Sequence, residues 1–395
     1  MAAPERSGGD AMSEFGKVWA EIAPVGRAAG GGYLRYALTA PELTLRDWFR
    51  GQAAQRDMTV TEDGNGNLFA WRAEPWAPGT VLTGSHFDSV PHGGGYDGPL
   101  GIVSAFLAVD ELPRDRKVVV AAFAEEEGGR FGVPCLGSRL LTGVIAPEKA
   151  AALRDRDGVT FAEALGYNPA GADSRIRNLS AVVELHIEQG RALTVPVGVA
   201  SAIWPHGRWR MDFSGVGDHA GTTLMADRRD PMQTFAFTVL VADREARLAG
   251  AHATMGRVQV EPNATNAIPS LVRGWLDARA ADTGTLDRLV GSVVREATER
   301  ASRDGTGVEV TAESVTGEVA FDNALAVRLS DLLGGAPILP TGAGHDAGVL
   351  SAHVPTAMLF VRNPTGVSHS PAEHASDADC EAGVEALARV LEALT

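Results

Sequence analysis

Short apolar runs alternate with helical segments along the first half of this chain, and this alternation constrains the fold more than any other sequence feature. Residues 80–88, 117–124 and 181–187 have the pattern of buried strands, and residues 99–112 that of a helix with proline in its first turn. Strands separated by helices indicate an α/β fold with a mostly parallel sheet flanked by helices. The carboxyl ends of parallel strands share one edge, where such proteins place their chemistry.

From about residue 208 the pattern changes to strand, helix, strand, strand, helix and strand, the βαββαβ order of a ferredoxin-like unit. The segments in question are residues 208–215, 229–248, 255–261, 271–280, 285–303 and 307–313. Helix, strand and helix then resume at residues 323–333, 356–362 and 377–394. We therefore predict one α/β domain, residues 1–206 with 318–395, interrupted by a compact insertion of residues 207–317.

Charge and composition exclude several classes of protein. The 395 residues include 50 acidic and 35 basic side chains, a formal net charge of −15, which argues against binding to nucleic acid or to an anionic membrane surface. Residues 1–16 contain no apolar run typical of a secretory signal, and no stretch approaches the roughly 20 apolar residues that span a bilayer. Two cysteines, Cys135 and Cys380, do not make a disulfide framework. We expect a cytoplasmic protein without membrane or nucleic-acid partners.

Histidines and carboxylates cluster at the ends of the predicted strands. His86, Glu126 and His186 all lie at such ends, and Asp88 shares a strand face with His86. Imidazole and carboxylate groups bind Zn²⁺ and related divalent ions, and one carboxylate can bridge two of them. The segments that carry these groups are GSHFDSVPHGGGYDG (84–98), AEEEGGRF (124–131), ELHIEQG (184–190), DHAGTT (218–223) and GVSHSP (366–371).

Other interpretations of the same residues remain open at this point. Residues 93–98 satisfy the G-x-G-x-x-G pattern of dinucleotide-binding proteins, but residues 86–92 separate them from the strand, and Asp97 would repel a pyrophosphate. No G-x-S-x-G motif supports a serine hydrolase. The remaining histidines are interpreted as structural or surface residues: His92, His252, His353 and His374.

Taken together, these segments resemble the dinuclear-metal aminoacylase and carboxypeptidase superfamily, and more closely its amidase/carbamoylase branch. That branch includes allantoate amidohydrolase, N-carbamoyl-L-amino-acid hydrolase and β-ureidopropionase. The resemblance extends from about residue 84 to residue 371. The matching strings are GSHFDSV, GGGYDG, EEGGRFG, LGSR, ELHIEQG, DHAGTT, NATNAIP, DAR, GAGHDA and GVSHSP.

The resemblance implies two divalent metal ions, Zn²⁺ first and Mn²⁺, Co²⁺ or Ni²⁺ as alternatives. By motif, one ion would be bound by His86, Asp97 and His186. The other would be bound by Asp97, Glu127 and His369, so that Asp97 bridges the pair. A carboxylate neighbour can orient a ligating imidazole, and Asp88 is the candidate for that role beside His86.

The resemblance also implies the catalytic and substrate-binding residues. Glu126 would be the general base that takes a proton from a metal-bridged water. His219, supplied by the insertion of a partner subunit, would stabilise the oxyanion, so the insertion would serve as a lid and dimerisation domain of a homodimer. The candidates for substrate binding are Gln189, Asn266 and Arg279, with His206 and His345 as weaker ones. Among these, Arg279 is the natural bidentate partner of a carboxylate.

Departures from the family pattern concern the substrate. Residues 202–208 stand where allantoate amidohydrolases have a shorter glycine-containing turn, and Arg191 and Leu224 stand where proline is common. We predict hydrolysis of a linear C–N bond in a small anionic ureido or carbamoyl acid, first allantoate and second an N-carbamoyl-L-amino acid or β-ureidopropionate. An aminoacylase or dipeptidase is a further alternative, although His186 replaces the carboxylate of those relatives. The alternative from another class is a catalytically silent dimeric binding protein.

Overall fold

The computed structural model describes residues 12–395. The strands are β1 (Thr59–Glu62), β2 (Leu68–Trp71), β3 (Thr80–His86), β4 (Val118–Phe123), β5 (Leu179–Ile187), β6 (Val197–Ile203), β7 (His206–Ser214), β8 (Asp218–His219), β9 (His252–Glu261), β10 (Ala267–Ile268), β11 (Leu271–Arg279), β12 (Gly307–Thr316), β13 (Val319–Ala320), β14 (Ile338–Thr341) and β15 (Thr356–Val361).

The α-helices are α1 (Glu14–Ile22), α2 (Ala40–Gln55), α3 (Pro99–Asp110), α4 (Leu136–Thr142), α5 (Pro147–Ala151), α6 (Phe161–Leu165), α7 (Pro231–Ala249), α8 (Thr283–Asp304), α9 (Asn323–Leu332), α10 (Asp346–Leu350) and α11 (Asp377–Leu394). None of the described helices combines the length and the low polarity that crossing a bilayer requires. Most of the charged segment 1–16, for which we predicted no signal sequence, lies outside the described residues.

The chain divides into two compact units. One contains the residues up to Ser201 together with Ala320–Thr395, and the other contains Ala202–Val319. The boundaries between the units were predicted from the sequence at residues 206/207 and 317/318. In both descriptions a single insertion interrupts the first unit, whose two segments are far apart in sequence.

The first unit is built on a mixed sheet in which the strands follow the order β1-β2-β4-β3-β5-β15-β6, with β14 paired to β6. The central strands β4, β3, β5 and β15 are parallel, which confirms the predicted mostly parallel sheet. These strands are almost entirely buried because helices cover a parallel sheet on both faces. The short strands β1, β2, β6 and β14 were not predicted.

The second unit contains a four-stranded antiparallel sheet of order β12-β7-β11-β9 and a separate two-stranded pair, β8 with β10. Its elements occur in the order β7, α7, β9, β11, α8, β12, apart from β8 and β10, and this confirms the predicted βαββαβ arrangement. Residues along β11 alternate between buried and half-buried. The buried set, which includes Val272 and Leu276, packs in one hydrophobic cluster with residues of α7 and α8 and leaves the other sheet face open.

A buried ion pair lies within helix α2. Arg46 Nε lies 2.7 Å from Glu42 Oε1, and both side chains are less than 5% exposed. Glu42 also accepts a hydrogen bond from the Leu38 amide, and Arg46 donates to the Gly66 carbonyl. Each charge therefore has several partners, and removal of one would leave the other buried and uncompensated.

We expect Arg46→Ala to lower the free energy of unfolding by about 3–5 kcal/mol because it leaves the Glu42 carboxylate in the interior without its counter-ion. The matched control is Arg50→Ala on the same helix. Arg50 forms ion pairs with Asp47 and Glu62 but is 42% exposed, so its loss should cost less than about 1 kcal/mol. Urea denaturation followed by circular dichroism measures both, and equal losses would contradict the assignment.

Candidate metal centre

The parallel strands of the first unit bring histidines and carboxylates to one edge of the sheet. Strand β3 ends at His86, and Glu126 and Glu127 follow the end of β4. Strand β5 carries His186 one residue before its end. Because β4, β3 and β5 are neighbours and run in the same direction, these side chains meet at the carboxyl edge.

The first group of possible ligands is His86, Asp97 and His186, all of them buried. Asp97 Oδ1 lies 3.5 Å from His86 Nε2 and 3.2 Å from His186 Nε2. The other ring nitrogen of each histidine lies against a backbone carbonyl, that of Asp88 at 3.0 Å and that of Ile187 at 2.9 Å. A carbonyl can only accept, so each Nδ1 carries a hydrogen, and each Nε2 presents a lone pair when the ring is neutral, as it is in a metal-binding histidine.

Neither of these Nε2 atoms makes a hydrogen bond of acceptable geometry with any described residue. Two buried lone pairs that face one carboxylate are costly by themselves but are the donor set that a divalent cation requires. The residues therefore fit a metal ion.

A second group lies on the other side of Asp97. His369 Nε2 is 3.4 Å from Asp97 Oδ2 and 3.3 Å from Glu127 Oε2. His369 is half-exposed at 48%, whereas both carboxylates are almost fully buried. Asp97 thus presents Oδ1 to the first group and Oδ2 to the second, the arrangement of a carboxylate that bridges two ions.

Glu126 lies beside the first group, with its Oε2 atom 3.7 Å from His86 Nε2. The backbone amides of Glu126 and Glu127 each donate to the Asp88 carboxylate at 3.1 Å. Asp88 was predicted to orient His86 through that carboxylate. The His86 ring donates its hydrogen bond to the Asp88 backbone carbonyl instead, and the Asp88 Oδ1 atom lies 3.6 Å away, so the side chain mainly holds the glutamate loop.

The pKa values of these carboxyls shift in opposite directions: those of Glu126 and Glu127 are raised, and that of Asp97 is lowered. Burial raises the pKa of Glu126 well above its usual range, against the opposing charge of His86. Burial likewise raises the pKa of Glu127. Burial also acts to raise the pKa of Asp97, but the interactions with the neighbouring His186 and His86 rings prevail and hold it well below its usual range. Asp97 therefore stays ionised, and a cation nearby would favour the ionised forms of Glu126 and Glu127 as well.

Two predicted substrate-binding residues of the first unit also reach this edge. Gln189 Nε2 donates to Asp97 Oδ2 at 2.8 Å. The ring of His345, just before α10, lies 4.5 Å from the ring of His186, centroid to centroid. His345 is buried, and among the described residues neither of its ring nitrogens has a hydrogen-bond partner. Burial holds the pKa of His345 well below its usual range, so its imidazole is neutral.

The other predicted residues belong to the second unit, where they form two pairs. His219 on β8 is exposed, and the Ala220 amide next to it donates to the Asn266 carbonyl at 3.0 Å. Both line a cavity of about 670 Å³. His206 on β7 and Arg279 on β11 are direct cross-strand partners.

Glu373 also belongs to this site, although it was not predicted from the sequence. Its carboxylate accepts hydrogen bonds from the Tyr96 and Asp97 amides, both at 3.0 Å, and so holds the backbone of the bridging aspartate. Burial raises the pKa of Glu373 to about 7. A Cβ atom on Gly94 would lie 2.1 Å from its Oε1 atom, which explains one of the glycines in the G-x-G-x-x-G segment without a bound nucleotide. The only sequence signal was a carboxylate four residues after His369.

Comparison with known proteins shows similarity in both sequence and structure. A profile of Peptidase family M20/M25/M40 matches residues 82–393. The chain is 36% identical to an N-carbamoyl-L-amino acid amidohydrolase of Geobacillus stearothermophilus, over 93% of this chain and 94% of that one. It is 30% identical to the allantoate amidohydrolase of Escherichia coli strain K12, over 94% and 95%.

A solved structure of an amidase of the hydantoinase/carbamoylase family from Burkholderia vietnamiensis has the same fold. It matches with a TM-score of 0.85 and 32% sequence identity, and the match covers 96% of each chain. The similarity therefore includes both units, not only the strands that carry the histidines.

The geometry predicts that His86→Ala weakens binding of a divalent ion by at least about a hundredfold, since loss of an outer-shell partner alone costs 10–100-fold. Titration calorimetry with Zn²⁺ or Mn²⁺, and metal content after dialysis, measure the change. The control His353→Ala removes a histidine that belongs to neither ligand group and should bind metal as the natural chain does. Equal affinity in His86→Ala and the natural chain would contradict the proposed site.

Proposed function

The chain belongs to Peptidase family M20/M25/M40 and is an amidohydrolase of the allantoate and N-carbamoyl-amino-acid type, and from that premise we propose that it hydrolyses the linear C–N bond of a ureido or carbamoyl acid at the edge described above. One observation carries the proposal: Asp97 is shared by two groups of ligands, with Glu126 beside one of them. That combination suits metal-assisted hydrolysis.

Enzymes of this family use divalent metal ions. His86, Asp97 and His186 would hold one ion and Asp97, Glu127 and His369 the other. Bound there, the ions supply Lewis acidity towards a carbonyl oxygen and towards water. We propose Zn²⁺ first, with Mn²⁺, Co²⁺ or Ni²⁺ as alternatives, because imidazole and carboxylate ligands accept all four.

We propose Glu126 as the group that transfers the proton. Burial raises its pKa while no cation is near, and a bound cation would favour the ionised form, which can take a proton from the attacking water. The same carboxyl can then deliver that proton to the departing nitrogen. The Asp88 carboxylate accepts a hydrogen bond from the Glu126 backbone amide, and the Cys135 thiol donates to Glu126 Oε1 at 3.4 Å. The backbone and the side chain of Glu126 are therefore each held by one contact.

Substrate recognition is assigned to residues of both units. Gln189, already in contact with Asp97, would contact the substrate close to the bond that breaks. In the second unit, Arg279 would bind the substrate carboxylate and Asn266 would bind a polar group of the substrate. His206 and His345 are proposed as further contacts, and the neutral His345 can donate or accept one hydrogen bond.

Allantoate is our first proposed substrate and an N-carbamoyl-L-amino acid the second, since relatives of both names lie between 30 and 36% identity. Addition of water to the ureido carbonyl would release ammonia and carbon dioxide and leave the amine. An aminoacylase or dipeptidase is disfavoured because His186 stands where those relatives have a carboxylate. The complete set of ligands disfavours a silent binding protein.

We expect Glu126→Gln to lower kcat by about 10²–10⁴-fold, because the amide cannot carry the proton that the reaction moves. Ammonia release after metal reconstitution, screened across allantoate and N-carbamoyl-L-amino acids, measures the loss. Metal affinity should fall less than in His86→Ala because Glu126 belongs to neither ligand group. The control Glu163→Gln changes an exposed glutamate of α6, and unchanged turnover in Glu126→Gln would refute the mechanism.

We also propose a homodimer formed through the second unit. Leu240 and Leu248 on α7 are 71% and 77% exposed, and Val258 on the edge strand β9 is 50% exposed. Apolar side chains this exposed beside an unpaired strand edge are typical of an interface. His219 would then complete the active site of the partner subunit. The predicted cytoplasmic location stays a prediction.

Complementation tests this shared site. Glu126→Gln and His219→Ala should each be inactive, but their heterodimer should regain about half of the natural activity, because one of its two sites combines Glu126 and His219 from different chains. Co-expression with two different tags isolates the heterodimer for the ammonia assay. No recovery in that heterodimer, with both single variants inactive, would show that His219 acts within its own chain.

A further inference from the structure

One end of the four-stranded sheet in the second unit carries a row of residues on its open face. Arg279 on β11 has His206 as its register partner on β7 and His252 as its register partner on β9. Direct cross-strand partners point to the same face of a sheet. The opposite face, with Ala278, packs against the helices. His252, interpreted from the sequence as a surface residue, is therefore a direct neighbour of the arginine proposed to bind the substrate carboxylate.

An indole ring completes this row. The Trp204 and His252 rings are stacked, with centroids 5.8 Å apart and planes 22° apart. The segment that carries Trp204 is anchored beside Arg279, since the Ala280 amide donates to the Pro205 carbonyl at 3.3 Å. His206 Nδ1 donates to the Trp204 carbonyl at 3.0 Å. The segment that departs from the family pattern thus places an aromatic surface at the end of the sheet that carries Arg279.

Arg279 is already oriented within its own strand. Its Nε atom lies 3.0 Å from Asp277 Oδ1, and the side chain is about one-third exposed. An anionic ligand that approaches this guanidinium meets a charged group and a ring surface at the same sheet end.

We propose that Trp204 and His252 form a subsite for the side chain of an N-carbamoyl-L-amino acid, and that this side chain is apolar or aromatic. The inference rests on the proposed function of Arg279 as the carboxylate-binding residue. In an α-amino acid the carboxylate and the side chain leave the same carbon, so a group that binds the first brings the second within a few ångströms. Allantoate carries a second polar ureido group at that position and gains nothing from a stacked ring pair.

Steady-state kinetics on the metal-loaded protein test the subsite, with N-carbamoyl-L-phenylalanine, N-carbamoylglycine and allantoate as substrates. Trp204→Leu and His252→Ala should each raise KM for the phenylalanine derivative by about tenfold and leave kcat and the glycine derivative within about twofold. His252 is exposed, so His252→Ala keeps the test valid if Trp204→Leu fails to fold. Equal effects on all three substrates, or none, would overturn the proposal.

The matched control is Trp275→Leu. Trp275 lies on the same face of the same sheet, where it stacks with Arg257 at 4.2 Å, four residues before Arg279 on β11. Its loss removes an indole of equal size and should change KM for none of the substrates. A rise in KM that matches that of Trp204→Leu would overturn the subsite, because it would reflect a general change of the sheet.

Binding without turnover separates this inference from the proposed function. N-carbamoyl-L-phenylalanine is titrated by calorimetry into Glu126→Gln, with and without Trp204→Leu. If the natural chain hydrolyses no ureido acid but Trp204→Leu weakens binding about tenfold, the proposed function fails and the subsite stands. If hydrolysis occurs and Trp204→Leu affects neither KM nor binding, the subsite fails and the proposed function stands.

Discussion

The carboxylate of Asp97 is the interaction on which the rest of the candidate site depends. Its Oδ1 atom faces His86 and His186, its Oδ2 atom faces His369, and the side chain is almost fully buried. Its position is fixed on both sides: Glu373 accepts its backbone hydrogen, and the following Gly98 has a positive φ of 84°. A Cβ atom on Gly98 would lie 2.5 Å from the His86 ring, so only glycine permits this approach.

Burial of so many acidic groups at one edge is unfavourable unless cations neutralise them. Burial raises the pKa of Asp88, Glu126 and Glu127, which shows that the protein alone does not compensate their charges. Divalent ions would supply that compensation and would reverse the negative character of the chain locally. A protein with a net charge of −15 can therefore bind a small anion.

The chemistry and the specificity are carried by different parts of the fold. The candidate metal ligands and Glu126, the proposed proton-transfer residue, belong to strand ends and loops of the first unit. Trp204 lies in residues 202–208, the segment that departs from the family pattern, and His252 lies on β9 of the second unit. Such a division lets the substrate change while the reaction stays the same, because binding of a distant side chain does not alter the geometry at the breaking bond.

The sequence by itself determined the types of the elements, their order and the residues that could bind metal, because hydrophobic periodicity and residue chemistry are local properties. Parallel strands then required His86, Glu126 and His186 to meet at one edge. Only the tertiary structure decided which oxygen of Asp97 faces which histidine, that Glu373 supports Asp97, and that His252 lies beside Arg279. Those contacts depend on strand register and on the packing of segments far apart in the chain, and neither is encoded in any local pattern.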